Sequence, residues 1–250
     1  MYNKILKART AKTESRTLFS NYNSVRPLFL RGGFPMNSME ICIPTKFKSL
    51  MNDRIISVID SLINIITSDY ELNKMYNSMK MYSQALSAHS FNVTILSLAL
   101  SDYLRYPLAQ SIELGLGGMF HDVGKIFIPP SILFKPSRLT VDEYAKVMKH
   151  PTLGHDAVKG CNLSNTTLSI ILLHHYCSNG YPVNPSPKYK SSEPVHIVTL
   201  ADCYDAMTSN RSYQKRRSLR DALDEINRHK GSLFQSDLAD LFQEVVRHAC

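Results

Sequence analysis

Apolar residues recur along most of this chain at helical spacing, and alternating strand-like patterns are nearly absent. A proline at position 107 suits the first turn of a helix, and Thr140 with Glu143 forms a capping box. We therefore predict an all-α fold, a single domain of about seven to nine helices. The predicted helices cover residues 47–68, 75–103 (in one or two pieces), 107–122, 140–149, 153–159, 166–175, 195–208, 219–228 and 236–248.

The first part of the chain differs from the rest in pattern and in charge. Residues 1–35 carry seven basic residues and one acidic residue, whereas the remainder is close to neutral. We expect residues 1–48 to be a basic, poorly ordered leader and residues 49–250 to form the helical domain. A nucleic-acid or lipid-binding arm, a transit peptide and an upstream start codon all stay open as explanations of the leader.

The composition indicates the compartment of the protein and the partners that it is not expected to bind. The five cysteines are scattered and never occur in Cys-x-x-Cys spacing, which argues against a disulfide framework and against a thiolate zinc site. No apolar run reaches the roughly 18 residues that a membrane span needs. The near-neutral body gives little support for binding a nucleic-acid polymer. We expect a cytoplasmic protein with no membrane span.

Ionisable residues fall within or at the ends of the apolar helical segments. A single histidine on a helix is more often a satisfied core residue than a ligand, but several buried ionisable groups need a common purpose. Metal coordination satisfies them together. The candidate ligands are His89, His121, Asp122, His150, His174, His175 and Asp202.

Imidazole and carboxylate ligands suit iron, manganese, zinc or nickel better than calcium. Seven ligands are too many for one tetrahedral ion and fit two octahedral ions, with Asp122 as the natural bridge. Two metals about 3.5–4 Å apart can hold a hydroxide nucleophile and clamp the oxygens of a phosphoryl displacement. Phosphodiester chemistry is favoured over peptide hydrolysis, because the His-Glu-x-x-His pattern is absent.

The order of the motifs resembles the HD-GYP branch of the HD phosphohydrolases over roughly residues 83–242. The resemblance implies an α-helical HD fold, a bi- or trinuclear iron or manganese site, and hydrolysis of cyclic di-GMP, with some relatives preferring cyclic GMP-AMP. It is carried by His121-Asp122-x-Gly124-Lys125, His150-Pro151-x-x-Gly154, His174-His175, Gly180-Tyr181-Pro182 and Asp202-x-Tyr204-Asp205-Ala206-x-Thr208-Ser209-x-Arg211-x-Tyr213.

The resemblance also implies roles for single residues. The seven candidate ligands match the metal ligands of the family, and Asp122 and Lys125 would be catalytic. Lys125 would hold the scissile phosphate and Arg211 would contact the substrate phosphate, while Asp205 would orient its neighbours. Further substrate contacts are implied for the loop residues Tyr181 and Pro182, and for Lys215 beside the position where the family has a basic residue. A diguanylate cyclase domain or a separate sensor protein is an implied partner.

The chain departs from the family pattern at three places, one of which is Gln214 beside Lys215, where the family has a basic residue. Trinuclear members have a glutamate one turn before the first histidine, where this chain has Ala85, so we expect two metals and a linear pGpG-type product. The segment between His175 and Gly180 lacks the usual acidic residues and is two residues shorter. Two alternatives therefore stay open: a hydrolase of another phosphoester, and a catalytically weak cyclic-dinucleotide receptor or adaptor.

Overall fold

The computed structural model describes residues 43–175, 191–209 and 216–248, and these form an all-helical fold without strands. Two 3₁₀ helices, Thr45–Leu50 and Val123–Phe127, accompany eleven α-helices. The all-α prediction is confirmed. The α-helices are α1 Asp53–Ser68, α2 Tyr70–Tyr82, α3 Gln84–Tyr103, α4 Leu108–Phe120, α5 Pro130–Leu133, α6 Val141–Val147, α7 His150–Val158, α8 Asn165–Leu173, α9 Glu193–Thr208, α10 Leu219–Arg228 and α11 Ser236–His248.

The core is built around α3, which packs against α2, α4, α9 and α11. Most of its residues are buried, and its apolar residues lie all round the helix, as expected for a helix enclosed by others. In α10 and α11 the buried residues lie on one face only, which is typical of helices at a protein surface. His89 of α3 and both Asp202 and Asp205 of α9 are consequently inside the protein.

Polar residues at the helix starts explain where the elements divide. Ser83 accepts a hydrogen bond from the Leu86 amide and begins α3, so the segment predicted over 75–103 is two helices. Asp69 caps α2 in the same way and starts it five residues before the predicted position. The capping box of Thr140 and Glu143 is present as predicted. A short helix, α5, lies in the proline-rich connector and adds to the predicted number.

The predicted leader includes residues that are packed in the structure. Phe47, in the first 3₁₀ helix, is only 2% exposed, and this helix contacts α3 and α11. The packed part of the chain therefore begins before residue 49, while residues 1–42 lie outside the described part. In the described part, no helix has both the length and the apolar character needed to cross a membrane.

Two glycines allow the chain after α4 to lie directly against the start of α7. A Cβ atom on Gly124 would overlap the carbonyl oxygen of His150 and lie 2.5 Å from the amide nitrogen of Gly154. A Cβ atom on Gly154 would lie 3.0 Å from the amide nitrogen of Gly124. These are backbone atoms, which cannot move aside as the end of a side chain can. The contact fixes Asp122, two residues before Gly124, relative to His150.

We expect Gly124→Ala to lower the free energy of unfolding by about 1–3 kcal/mol or more, because the added methyl group forces two backbone segments apart. Gly160→Ala is the matched control, since a Cβ atom there meets nothing within 4 Å. Urea denaturation of both variants measures the difference. Equal stabilities would contradict the close-packing role of Gly124.

Candidate metal centre

The structure brings all seven candidate ligands together inside the protein. Each of them is at most 8% exposed. Within each of two groups, the possible ligand atoms lie within 4.8 Å of one another. The first group is Asp122, His150, His174 and His175, and the second is His89, His121 and Asp202.

Helix ends supply most of these side chains. His121 and Asp122 directly follow α4, His150 is the first residue of α7, and His174 and His175 directly follow α8. The other two ligands, His89 and Asp202, lie within the buried helices α3 and α9. The cluster thus forms where three helix termini meet two central helices.

The backbone at these helix ends fixes the orientation of three imidazole rings. Nδ1 of His121 lies 2.8 Å from the carbonyl oxygen of Gly118, and Nδ1 of His150 lies 2.7 Å from that of Val147. Nδ1 of His174 lies 3.0 Å from the carbonyl oxygen of Ile171. Because a carbonyl oxygen only accepts, each Nδ1 carries the proton and each Nε2 presents a lone pair. This is the tautomer that a metal requires at Nε2.

Asp122 lies between the two groups and turns one oxygen toward each. Its Oδ1 is 3.3 Å from Nε2 of His150 and 3.9 Å from Nε2 of His174. Its Oδ2 is 3.4 Å from Nε2 of His121 and 3.8 Å from Nε2 of His89. This division of its two oxygens is the arrangement that a bridging carboxylate needs.

His89 connects two further carboxylates, those of Asp202 and Asp205, through its two ring nitrogens. Nε2 of His89 is 2.9 Å from Oδ1 of Asp202, and its Nδ1 is 2.7 Å from Oδ2 of Asp205. The other oxygen of Asp202 lies 3.9 Å from Nδ1 of His175, in the first group. Asp205 itself is completely buried, and its Oδ1 accepts hydrogen bonds from Asn92, Lys46 and Ser209. Asp205 therefore holds His89 in place from the side away from the ligand cluster.

Burial and mutual repulsion favour the neutral form of three of the imidazoles. Burial is the largest cause that lowers the pKa of His175 to about 3, and the nearby His150 acts in the same direction against the attraction of Asp202. Burial also lowers the pKa of His150, and it lowers that of His174 well below the ordinary value with the help of three neighbouring histidines. Neutral imidazoles are the form that binds metals.

The two carboxylates of the cluster are held in the ionised form. Burial alone would raise the pKa of Asp122, but Lys125, His121 and His150 together lower it well below the ordinary value. The pKa of Asp202 is likewise well below its ordinary value, because the hydrogen bond from His89 outweighs the effect of burial. The first group thus combines an anionic oxygen of Asp122 with the neutral nitrogens of His150, His174 and His175.

The donor set fits divalent metal ions. In the described part of the chain, Nε2 of His121 and Oδ1 of Asp122 are buried without a hydrogen-bond partner. Nε2 of His150 and Nε2 of His174 are 3.2 Å apart, and each carries a lone pair if Nδ1 holds the proton. Two facing lone pairs and an unsatisfied carboxylate oxygen are unfavourable unless a cation lies between them. The described residues can therefore hold metal at both groups.

Lys125 lies at the edge of the cluster. Its ammonium group donates to Oδ2 of Asp122, and its side chain is 16% exposed. It is thus placed between the buried carboxylate and solvent. The other four predicted substrate contacts, Arg211, Lys215, Tyr181 and Pro182, lie outside the described residues.

The sequence analysis missed several residues that contact Asp205 beside the centre. Lys46 is 159 positions from Asp205 in the chain, and it lies in the segment predicted to be a leader. Asn92 is three residues after His89, and this helical spacing could have suggested a side chain on the same face. Ser209 is four residues after Asp205, which is another helical spacing.

Curated proteins with similar sequences are cyclic-dinucleotide phosphodiesterases. A cyclic di-GMP phosphodiesterase of Pseudomonas aeruginosa is 35% identical over 51% of this chain and 31% of its own length. A cyclic di-GMP phosphodiesterase of Thermotoga maritima is 29% identical over 69% of this chain and 48% of its own length. A 3'3'-cGAMP-specific phosphodiesterase of Vibrio cholerae is 27% identical over 71% of this chain and 35% of its own length. The chain spans less than half the length of each of these relatives.

Solved structures with a similar fold are HD domains. The HD domain of the phosphodiesterase PgpH from L. monocytogenes matches with a TM-score of 0.51 and 16% identity, over 69% of this chain and 94% of that one. An HDG"Y"P protein from Bdellovibrio bacteriovorus matches with a TM-score of 0.53 and 18% identity, over 81% of this chain and 68% of that one. At these identities, the two structures support the fold alone.

The comparisons confirm the resemblance to HD-GYP proteins that the motifs indicate. The family model described as "HD domain" matches residues 62–238, which is more than half of the chain. The chain belongs to the HD domain family.

Proposed function

We propose that this protein is a metal-dependent phosphodiesterase that hydrolyses a cyclic dinucleotide, with cyclic di-GMP as the first candidate. The observation that carries the proposal is the division of the two oxygens of Asp122 between separate groups of imidazoles. A carboxylate in this position suits a pair of metals, and paired metals are typical of enzymes that cleave phosphate esters.

We propose two metal ions, and the resemblance to HD-GYP proteins favours iron or manganese among the metals that suit the donor set. The first group offers three imidazoles and Asp122, and the second offers two imidazoles and Asp202. Imidazole with carboxylate suits these metals. Ala85, one turn before His89, has an exposed side chain without a ligating atom, so it adds no ligand for a third ion. When bound, the pair supplies an activated water and stabilises the charge that develops on the phosphate.

The protein's own residues bind and orient the substrate phosphate. Lys125 places a positive charge at the edge of the centre, where a phosphate that enters from solvent would meet it. Asp122 fixes that charge by accepting the hydrogen bond from Lys125. We propose that Arg211 and Lys215 add further charge, and that Tyr181 and Pro182 contact the substrate from the loop after His175.

The sequence relatives support a cyclic dinucleotide as the substrate. Two of the relatives described above are named for cyclic di-GMP and one for 3'3'-cGAMP. We propose that Lys125 binds a phosphate of either. With two metals we expect the linear dinucleotide pGpG as the product from cyclic di-GMP. We place the reaction in the cytoplasm, with a diguanylate cyclase domain or a sensor protein as the regulatory partner.

A second candidate function is a receptor or adaptor that binds the dinucleotide without cleaving it. The shortened segment between His175 and Gly180 favours it, because the segment lacks acidic residues that the family usually has there. The complete, buried set of seven ligands favours the enzyme, since a protein that only binds the dinucleotide does not need two metal sites.

Incubating the Mn²⁺-loaded protein with cyclic di-GMP, cyclic GMP-AMP and nucleoside monophosphates should yield linear dinucleotide from at least one cyclic substrate. We expect pGpG from cyclic di-GMP, because cutting one of two equivalent phosphodiesters opens the ring. Chromatography of the products measures this. Binding without turnover would favour the adaptor, and cleavage of monophosphates alone would indicate another phosphoester as substrate.

We expect Asp122→Asn to weaken metal binding by more than about 100-fold, because a lost ligand costs more than the roughly 10- to 100-fold of an outer partner. Metal content after dialysis, read by elemental analysis, measures the loss, and circular dichroism checks that the helices remain. Asp156→Asn is the matched control, since Asp156 lies on α7 with His150 but is about half exposed and pairs with Lys159. Full metal content in Asp122→Asn would rule out a bridging role.

Lys125→Met should retain the metals and lower kcat/KM by about 100-fold, the usual effect of removing one donor to a developing anion. Lys159→Met is the matched control, because Lys159 also pairs with an aspartate three residues earlier but lies at the surface. Steady-state kinetics with the best cyclic substrate measures both variants. Kinetics like those of the unmodified protein in Lys125→Met would remove Lys125 from the mechanism.

A further inference from the structure

The contacts around Asp205 tie the metal centre to a segment that precedes the family match. Oδ2 of Asp205 lies 2.7 Å from Nδ1 of His89. Its Oδ1 accepts from Lys46 Nζ at 3.0 Å, from Asn92 Nδ2 at 3.0 Å and from Ser209 Oγ at 2.7 Å. The HD match covers residues 62–238, so Lys46 is the member of this network that lies outside it.

Asp205 needs a positive charge, and Lys46 supplies it. Asp205 is 0% exposed, and an uncompensated buried carboxylate is strongly unfavourable. Asn92 and Ser209 donate hydrogen bonds but carry no charge, and His89 is neutral when it binds a metal. Among the described side chains that hydrogen-bond to Asp205, Lys46 is the one that brings a lysine ammonium group, at 3.0 Å from Oδ1.

The first 3₁₀ helix holds Lys46 in position. Phe47 anchors this helix in the core at 2% exposure, and the ammonium group of Lys46 lies 4.6 Å from the centroid of the Phe47 ring. Lys46 Nζ is also 3.1 Å from Ser209 Oγ. The helix contacts α3, which carries both His89 and Asn92. The lysine is therefore set by packing, although its side chain is 41% exposed.

We propose that Lys46 is a positioning residue for the metal centre. It fixes the carboxylate of Asp205, and Asp205 in turn holds His89 so that Nε2 points to Asp202 and Asp122. Without Lys46, the carboxylate of Asp205 loses one of the three donors that hold Oδ1, and His89 loses the fixed acceptor that orients its ring. This inference rests on the proposed metal centre, and it adds a residue that precedes the HD match to those that hold the centre in place.

Lys46→Met tests the proposal, because methionine keeps much of the apolar stem and removes the charge. We expect Mn²⁺ affinity, measured by calorimetric titration of the full chain stripped of metal, to fall about tenfold, the lower end of the effect of an outer partner. Lys46→Arg should restore most of the affinity, since it retains the charge and the donors. Lys48→Met is the matched control in the same 3₁₀ helix and should leave the affinity unchanged.

The double variant Lys46→Met/Asp205→Asn separates positioning from a general loss of stability. If Lys46 acts through Asp205, the double variant should bind Mn²⁺ no more weakly than Asp205→Asn alone. Additive losses would overturn the proposal, as would an unchanged Mn²⁺ affinity in Lys46→Met or a reduced melting temperature with unchanged affinity. These readouts do not depend on which phosphodiester is cleaved. Failure to cleave a cyclic dinucleotide would therefore refute the proposed substrate and leave this inference standing, whereas absence of Mn²⁺ binding in the unmodified chain would refute both.

Discussion

The ionised carboxylate of Asp122, 1% exposed among four imidazoles, is the constraint on which the rest of the site depends. A buried anion is tolerated only when positive charge or several donors surround it. Burial lowers the pKa of His150 and His174, and in the described part of the chain Lys125 is the lysine in contact with Asp122. One lysine at the edge leaves Oδ1 without a hydrogen bond. Metal ions would satisfy both oxygens and the facing nitrogens at once. The convergence of five helices brings these oxygen and nitrogen ligands together.

Helix termini are well suited to this task, because they combine a fixed backbone with unsatisfied carbonyl groups. The last carbonyls of a helix have no partner within the helix. His121 and His174 stand at the ends of α4 and α8 and use such carbonyls, from Gly118 and Ile171, to hold Nδ1. One interaction thereby satisfies the backbone, selects the tautomer and aims Nε2 into the cluster. The close contact of Gly124 with the backbone of His150 sets the distance between the end of α4 and the start of α7.

The sequence predicted the helical fold and the seven clustered side chains, because both leave local patterns: apolar periodicity, and ionisable residues inside apolar runs. It could not predict features that depend on contacts between residues distant in the chain. The opposite directions of the two Asp122 oxygens leave no such pattern, and neither does the pairing of Lys46 with Asp205 across 159 positions. The glycine of the His-Asp-x-Gly-Lys motif was visible in the sequence, but its contact with the start of α7 was not. The burial of Phe47 was not predicted for a similar reason, since it depends on contacts of the first 3₁₀ helix with α3 and α11.

The histidines of the centre differ in how they are held. His121, His150 and His174 are fixed by carbonyl groups of the backbone, which move only if a helix moves. His89 is instead fixed by the side chain of Asp205, whose position depends on further side chains from two other elements. Side-chain networks of this kind act as a unit, so a change at one member is felt at the others. One of those members, Lys46, is partly exposed and lies ahead of the HD match, so His89 is the ligand that a change in the preceding segment would reach first.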